Sequence, residues 1–417
     1  MRRIILAVAL IAAACTQNAG KTEGQMKARV IQPLFAMDEA GLDASYEWTL
    51  RELRDCDPSL DIVVLPEFSE VPGKTSSEGF METVHKYGPK LLETCEETAR
   101  RCSTLVFCGA IDTSCEKPRN AVFVFGRDGA LLGKYYKEHL TAGEWQKYGL
   151  DKSYTERWNE PYMLDIEGVR YMFLICYDFY FYENYSNIAR WKPDVIIGAS
   201  HQRSDPHNVL DIIDQFCAYN TGAYLVRASV SMGRKSKIGG CSCVVGPDGK
   251  ILGNLYSKVK HLDVAFNPKA KYLKPAGYGN PPAMHSEYIE IGRRPWKYRP
   301  GGSAIVPPLA EQPEERSKVY SNDLATLGAA VATGVQEIAF DLDASTDWES
   351  VLKPIMTRLA CHAIMNIHLK GDWTPESREK LNDIIFGYDA AGYVYYTVSL
   401  PETPNSPTND GCERHAR

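Results

Sequence analysis

Residues 61–67 read Asp61-Ile62-Val63-Val64-Leu65-Pro66-Glu67. The continuous β-branched run is the pattern of a strand buried on both faces, as in a parallel sheet covered by helices. The chain repeats the pattern at Asp194–Ala199 (DVIIGA). Working outward, strands are expected at Ala28–Met37, Thr104–Ile111, Asn120–Phe125, Ala130–Tyr136, Val169–Cys176 and Ala223–Ser229, then at Cys241–Gly246, Lys250–Tyr256 and Lys260–Phe266. Helical spacing marks Asp43–Cys56, Ser77–Arg101 and Leu210–Asn220. Asp128-Gly129 and Pro247-Asp248-Gly249 are turn signals between paired strands. Strands alternating with helices predict an α/β fold with two sheets.

The remainder divides by composition. Residues 306–317 (VPPLAEQPEERS) read as a linker. Beyond it a smaller α/β unit is expected over 318–400. Its helices fall at Asp323–Ala332, Trp348–Leu359 and Pro375–Phe386, and its strands at Glu337–Leu342, Cys361–Leu369 and Gly392–Leu400, an order that implies parallel pairing. The tail, 401–417, is polar and Pro-rich and reads as disordered. At the other end, Arg2 and Arg3, the apolar run Ile4–Ala14 and Cys15 have the form of a secretory signal too short to span a bilayer. With small residues before Cys15, residues 1–15 resemble a bacterial lipoprotein signal with Cys15 as the lipidated residue. The alternative is an ordinary signal cut nearby. Residues 16–26 would then be a tether, and the protein is expected to be exported to the cell envelope and lipid-anchored.

Bulk properties narrow the classes. Net charge is −6, so a phosphate-backbone partner is not indicated. Of 12 cysteines, ten remain after Cys15 and Cys176 are set apart; export would permit disulfides. Cys108, Cys217, Cys241 and Cys243 nevertheless lie in apolar stretches where cysteine behaves as a small hydrophobe. No C-x-x-C or H-E-x-x-H occurs, so no metal or cofactor is expected.

Cys176 ends an apolar strand, Glu67 follows one, Lys137 lies in Tyr135-Tyr136-Lys137-Glu138-His139-Leu140, and Glu144 in Ala142-Gly143-Glu144-Trp145. Taken singly, each has an ordinary reading: a packing thiol, a turn cap, solvated surface. Together they sit at or past the C-terminal ends of expected strands, where α/β folds place their chemistry. A cysteine reacts as thiolate. A carboxylate can take the thiol proton and later protonate a leaving nitrogen, and a lysine can stabilise an oxyanion.

These motifs resemble those of the nitrilase, or carbon–nitrogen hydrolase, superfamily. The resemblance covers residues 27–305 and runs in the family's order: Leu65-Pro66-Glu67, Tyr136-Lys137-Glu138-His139-Leu140 and Leu174-Ile175-Cys176-Tyr177-Asp178, supported by Cys217-Ala218-Tyr219-Asn220 and Gly239-Gly240-Cys241-Ser242. It implies a four-layer α-β-β-α sandwich, paired as a homodimer or higher oligomer, acting on a small amide-like substrate. It further implies Glu67 as base and acid, Cys176 as nucleophile through a thioester, and Lys137 with the Tyr177 backbone N–H as oxyanion donors. The second glutamate implied by the family is Glu144, with Glu156 as the other choice. The expected function is hydrolysis of a non-peptide carbon–nitrogen bond, amide or N-carbamoyl. The alternative is a catalytically retired scaffold that binds ligands in the envelope.

The stretch after the cysteine departs from the family. Tyr180 stands where relatives commonly have arginine and Tyr182 where they have proline. An anionic substrate group at that location is therefore not expected. The aromatic run Phe179–Tyr182 with Tyr185 either lines an uncharged pocket or packs under the following helix. For 318–400, an accessory binding module and a cover or brace for the catalytic unit are equally open.

Overall fold

A computed structural model describes residues 24–156, 162–275, 281–292, 317–335, 337–359, 363–386 and 394–398. Cys15 and the signal, residues 16–23, the linker up to 316 and the tail lie outside the described residues.

In chain order the catalytic unit runs β1 (Met26–Gln32), α1 (Glu39–Arg54), β2 (Ile62–Val64), α2 (Gly79–Cys102), β3 (Leu105–Asp112), β4 (Arg119–Phe125), β5 (Leu131–Tyr136), β6 (Met163–Ile166), β7 (Val169–Ile175), α3 (Tyr182–Arg190), β8 (Val195–Ala199), α4 (His207–Thr221), β9 (Tyr224–Ala228), β10 (Cys243–Val245), β11 (Ile251–Asn254) and β12 (Lys260–Phe266). Two six-stranded sheets result, ordered β12-β1-β2-β3-β4-β5 and β11-β10-β9-β8-β7-β6. In each, parallel central strands give way to antiparallel pairs outside.

The burial pattern explains the layering. Ala28, Val30, Ile62, Val64, Phe107 and Val122 on the first sheet meet Tyr171, Phe173, Ile175, Ile197 and Val226 on the second in one apolar layer. The opposite face of the first sheet, through Ile31, Val63, Leu65 and Val106, packs on Leu50 and Leu53 of α1 and Leu91, Cys95 and Ala99 of α2. The opposite face of the second, through Met172, Leu174, Ile196 and Leu225, packs on Tyr185 and Ile188 of α3 and Cys217 and Ala218 of α4. Because both faces of both sheets are covered, the strands read as continuous apolar runs rather than alternating ones. The architecture is the expected four-layer α-β-β-α sandwich.

Differences from the expected elements have local causes. The first strand ends at Gln32, not Met37, because Pro33 has no N–H for the ladder; the chain instead makes single bridges at Leu34–Ser231 and Ala36–Gly73. A short strand, β6, pairs with β7 across Glu167-Gly168, both with positive φ (55° and 75°). The β10 strand starts only at Cys243, since Cys241 itself has a φ of 58°.

The C-terminal unit holds β15 (Lys318–Tyr320), α6 (Leu324–Ala332), β16 (Glu337–Asp343), α7 (Trp348–Leu359), β17 (Ile364–Lys370), α8 (Pro375–Phe386) and β18 (Val394–Val398); β13 (Leu273–Lys274), β14 (Ala283–Met284) and α5 (His285–Gly292) precede it. Its four strands are parallel in sequential order. Ile338, Phe340, Ile367 and Leu369 join Trp348, Leu352, Ile355 and Trp373 in one core, which also takes in Phe35, Val230, Met232 and Ile238 of the catalytic unit. The two units therefore share apolar surface at the loops that follow β1 and β9.

Candidate active site

Glu67, Lys137, Cys176 and the loop after β8 all lie just past strand C-termini, on one end of the sandwich. The Pro66–Glu67 backbone is held by β3: Leu65 N–H donates to Phe107 O and Ser69 N–H to Gly109 O, each at 2.9 Å. A side chain at Gly109 has no room, because a Cβ there would lie 2.4 Å from Pro66 O and 2.8 Å from Glu67 Cα. Phe68, immediately after the carboxylate, is in the left-handed region at φ 54°, which a bulky residue rarely adopts.

Glu67, Lys137 and Glu144 are 1%, 1% and 3% exposed. The Lys137 ammonium donates to Glu67 Oε1 at 2.7 Å and to Glu144 Oε2 at 2.8 Å. Asn120, at the start of β4, donates from one amide nitrogen to Glu67 Oε1 and to Glu144 Oε1, both at 2.7 Å. Thr141 adds its N–H and hydroxyl to Glu144 at 2.8 and 3.0 Å. One ammonium thus lies between two buried carboxylates. Burial, together with the Glu144 charge, raises the Glu67 pKa against the pull of Lys137 and Asn120. For Lys137, burial acts downward, but Glu67, Glu144 and Cys176 outweigh it and hold the pKa well above the ordinary lysine value. The ammonium has three N–H donors; two are used here, so one is left for a substrate oxygen.

Cys176 closes β7 and opens a tight turn, Cys176–Tyr180, with a φ of 45°. Strained backbone of this kind costs about 1–3 kcal/mol and persists where its surroundings over-determine it. Asp178 supplies that constraint. Ile175 N–H (2.9 Å) and the Tyr135 hydroxyl (3.0 Å) donate to one of its oxygens, and His139 N–H (2.8 Å) to the other. The same carboxylate thereby ties the cysteine elbow to the lysine strand. Burial raises the Cys176 thiol well above its ordinary pKa and Glu67 adds to this, while Lys137 and the His201 backbone N–H pull it down. The sulfur rests as a thiol beside a buried carboxylate.

All four residues named from sequence come together here, with Tyr177 as the first amide past the sulfur. Glu144 is the glutamate on Lys137; the side chain of Glu156 lies outside the described residues. Sequence reading missed Asn120, the bracing by Asp178, and His201 and Arg203 after β8. Asn120 carried a usable signal, a lone amide opening an otherwise apolar strand; Arg203 carried none. Phe179, and Tyr185 from α3 itself, are buried in the layer between the second sheet and its helices, whereas Tyr177, Tyr180 and Tyr182 are exposed. The packing reading of the aromatic run therefore holds for Phe179 and Tyr185. Among the described residues no His, Cys, Asp or Glu cluster could hold a metal ion. The nine described cysteines are all free.

A cysteine on a strained elbow thus lies beside a buried carboxylate–ammonium–carboxylate set at one end of two packed sheets. The chain belongs to the carbon-nitrogen hydrolase family: residues 25–262, more than half of it, match that family's model. A search of curated proteins gave no match. Solved structures similar to this chain include an amidase from Nesterenkonia sp. at 20% identity, TM-score 0.48, covering 59% of this chain and 92% of that one. Another is a carbon-nitrogen hydrolase from Helicobacter pylori at 18%, TM-score 0.49, covering 59% and 90%. A third is a CN-hydrolase superfamily protein from Xanthomonas campestris with an arsenic adduct in its active site, at 17%, TM-score 0.46, covering 58% and 90%.

Proposed function

We propose that the protein hydrolyses a non-peptide amide or N-carbamoyl bond through a thioester on Cys176. The observation that carries this is the buried Lys137 bridging Glu67 and Glu144 beside a thiol whose backbone is held in the left-handed region. As the Cys176 sulfur attacks the carbonyl carbon, its proton passes to Glu67. The carbonyl π-electrons move to oxygen, which receives the remaining Lys137 N–H and the Tyr177 backbone N–H. Glu67 then protonates the nitrogen, the C–N bond breaks, and the amine or ammonia leaves. Water attacks the thioester while giving a proton to Glu67. The acid departs, and the sulfur recovers its proton from Glu67. Glu144 holds the ammonium in place and keeps it charged.

Lipidation at Cys15, location in the cell envelope and a homo-oligomeric state belong to the same reading. Loss of the N-terminal mass shift on Cys15→Ala, membrane fractionation and light scattering test them in turn.

The function is tested by incubating the protein with amides, N-carbamoyl compounds and nitriles, following losses by mass spectrometry against Cys176→Ala. Cleavage only by the parent, with an acyl adduct trapped on Cys176, is the expected result. No cleavage and no adduct across the panel would favour the retired-scaffold alternative.

A further inference from the structure

The loop that follows β8 reads Ser200-His201-Gln202-Arg203. It enters the site directly, since the His201 backbone N–H bears on the Cys176 sulfur. From there a run of ring contacts leads along one wall. The His201 ring lies 5.6 Å from Phe68, the residue after Glu67, and 5.4 Å from Phe35. The Arg203 guanidinium lies over Phe35 at 4.5 Å. Ring contacts thus link Arg203, through Phe35 and His201, to the residue that follows the base.

Arg203 differs from the other arginines enclosed by this fold. Arg29 is paired with Asp263 at 2.7 Å, Arg119 with Asp151 at 2.7 Å, and the fully buried Arg227 with Asp214 at 2.8 Å. Arg203 is itself partly buried. Among the described residues, however, it has no carboxylate within 4 Å and donates no hydrogen bond; Phe35 is its close partner. The nearest acid in sequence, Asp205, is taken by the Tyr180 hydroxyl. Burial lowers the Arg203 pKa, while Tyr148, Cys176 and Glu67 pull it back up, so its charge is felt at the reacting groups. A guanidinium has five donors in a fixed fork that matches a carboxylate. Withdrawing that charge from water without an acceptor is unfavourable.

The supporting loop is fixed. Gly239 N–H donates to Asp205 O at 2.9 Å and His207 N–H to Lys237 O at 3.0 Å. Gly239, at φ 64°, leaves only 3.3 Å between a built Cβ and Arg203 Cα. An unpaired fork on a braced loop beside the nucleophile is the arrangement of a preorganised recognition group.

We propose that Arg203 anchors a carboxylate carried by the substrate away from the scissile C–N bond, so that the preferred substrates are anionic amides or N-carbamoyl acids. This rests on the amide-hydrolase reading above and narrows its substrate class.

Two matched pairs test it. Succinamate and neutral 4-oxopentanamide place the charge on the acyl side; N-carbamoylglycine and neutral propylurea place it on the leaving side. The parent is expected to prefer the anionic member of one pair by roughly 100-fold in kcat/KM, the range of a charge-assisted bidentate contact. Which pair shows the preference tells which side carries the acid. Arg203→Gln should remove that preference, mainly through KM, with a much smaller loss for the neutral member than for the anionic one; Arg203→Lys should restore part of it. Equal losses for charged and neutral members, or no preference in the parent, would overturn the inference.

Equilibrium binding of the anionic probes to Cys176→Ala, with and without Arg203→Gln, reads the anchor without turnover. If nothing is cleaved yet binding depends on Arg203, the hydrolase reading fails and the anion anchor stands. Binding that is unchanged in Arg203→Gln, or absent in both proteins, sinks the anchor.

Discussion

The two six-stranded sheets meet at the same end of the sandwich, but they equip it differently. The first presents Glu67, Asn120 and Lys137, all buried and hydrogen-bonded to one another. The second presents Cys176, His201 and Arg203, all partly exposed, with buried His201 Nε2 lacking a partner. Proton handling needs charges fixed in a dry, pre-paired network, because an unpaired buried charge is costly. Attack and recognition need groups held in place yet open to a ligand. The guanidinium without a carboxylate is carried by the second sheet, whereas every charge of the Glu67–Lys137–Glu144 set on the first is paired.

The strongest break would come from the nucleophile. Cys176→Ala is expected to lower turnover by roughly 10⁴-fold or more with the fold intact; steady-state kinetics and circular dichroism together check this. Appreciable activity in that variant would end the division of labour outright. Next in size, Lys137→Met leaves two buried carboxylates facing each other. It should lower stability by about 3–5 kcal/mol in urea unfolding and abolish turnover. Adding Glu144→Gln should recover part of the stability and none of the turnover, separating the structural role of the first sheet's network from its chemical one.

The pH profile sharpens the same point. Glu67 must be a carboxylate to accept the thiol proton, and its pKa is raised. kcat/KM should therefore fall as pH drops through that raised value, above the ordinary glutamate range. Removing the Asn120 donor with Asn120→Ala should move this limb further up and cost about 1–3 kcal/mol in stability.

A last effect, confined to stability, concerns Glu70, a buried carboxylate on the loop after β2 with no salt-bridge partner among the described residues. It is fully buried, accepts from Ile111 N–H at 2.6 Å, and burial pushes its pKa to about 7 from 4.5. Since the folded state holds the proton more tightly than the unfolded chain, this group's stabilising contribution is full below pH 4.5 and is lost as pH rises through 7. Glu70→Gln should raise stability at pH 8 by up to about 3 kcal/mol, with the gain over the parent vanishing toward pH 4. Denaturant melts at the two pH values check it.

Much of this was legible in the chain. Doubly covered strands give continuous apolar runs, so DIVVL and DVIIGA announced buried parallel strands, and the turns at Asp128-Gly129 and Pro247-Asp248-Gly249 fell where hairpins form. Glu67 and Cys176 were readable because each follows such a run; Lys137, after a partly exposed strand, was readable only from the motif around it. Boundaries were lost where the backbone does something no side-chain pattern encodes: the exchange of ladder for single bridges after Pro33, and the left-handed backbone at Cys241. The aromatic residue at Tyr180 pointed to an uncharged pocket. The structure instead brings a guanidinium to the site from the next loop.

The sequence alone determined where most strands and helices fall, because periodicity and turn signals are local properties written along the chain, and the resemblance of its motifs implied the layers and the three candidate site side chains. Only the tertiary structure decided which charges are paired. Asn120 is 53 residues from Glu67 and 24 from Glu144, yet bonds to both, and Arg203 lies over Phe35 with no carboxylate beside it. Whether a charge is satisfied depends on which distant segments the packing of two sheets brings within a few ångströms, and no spacing along the chain records that.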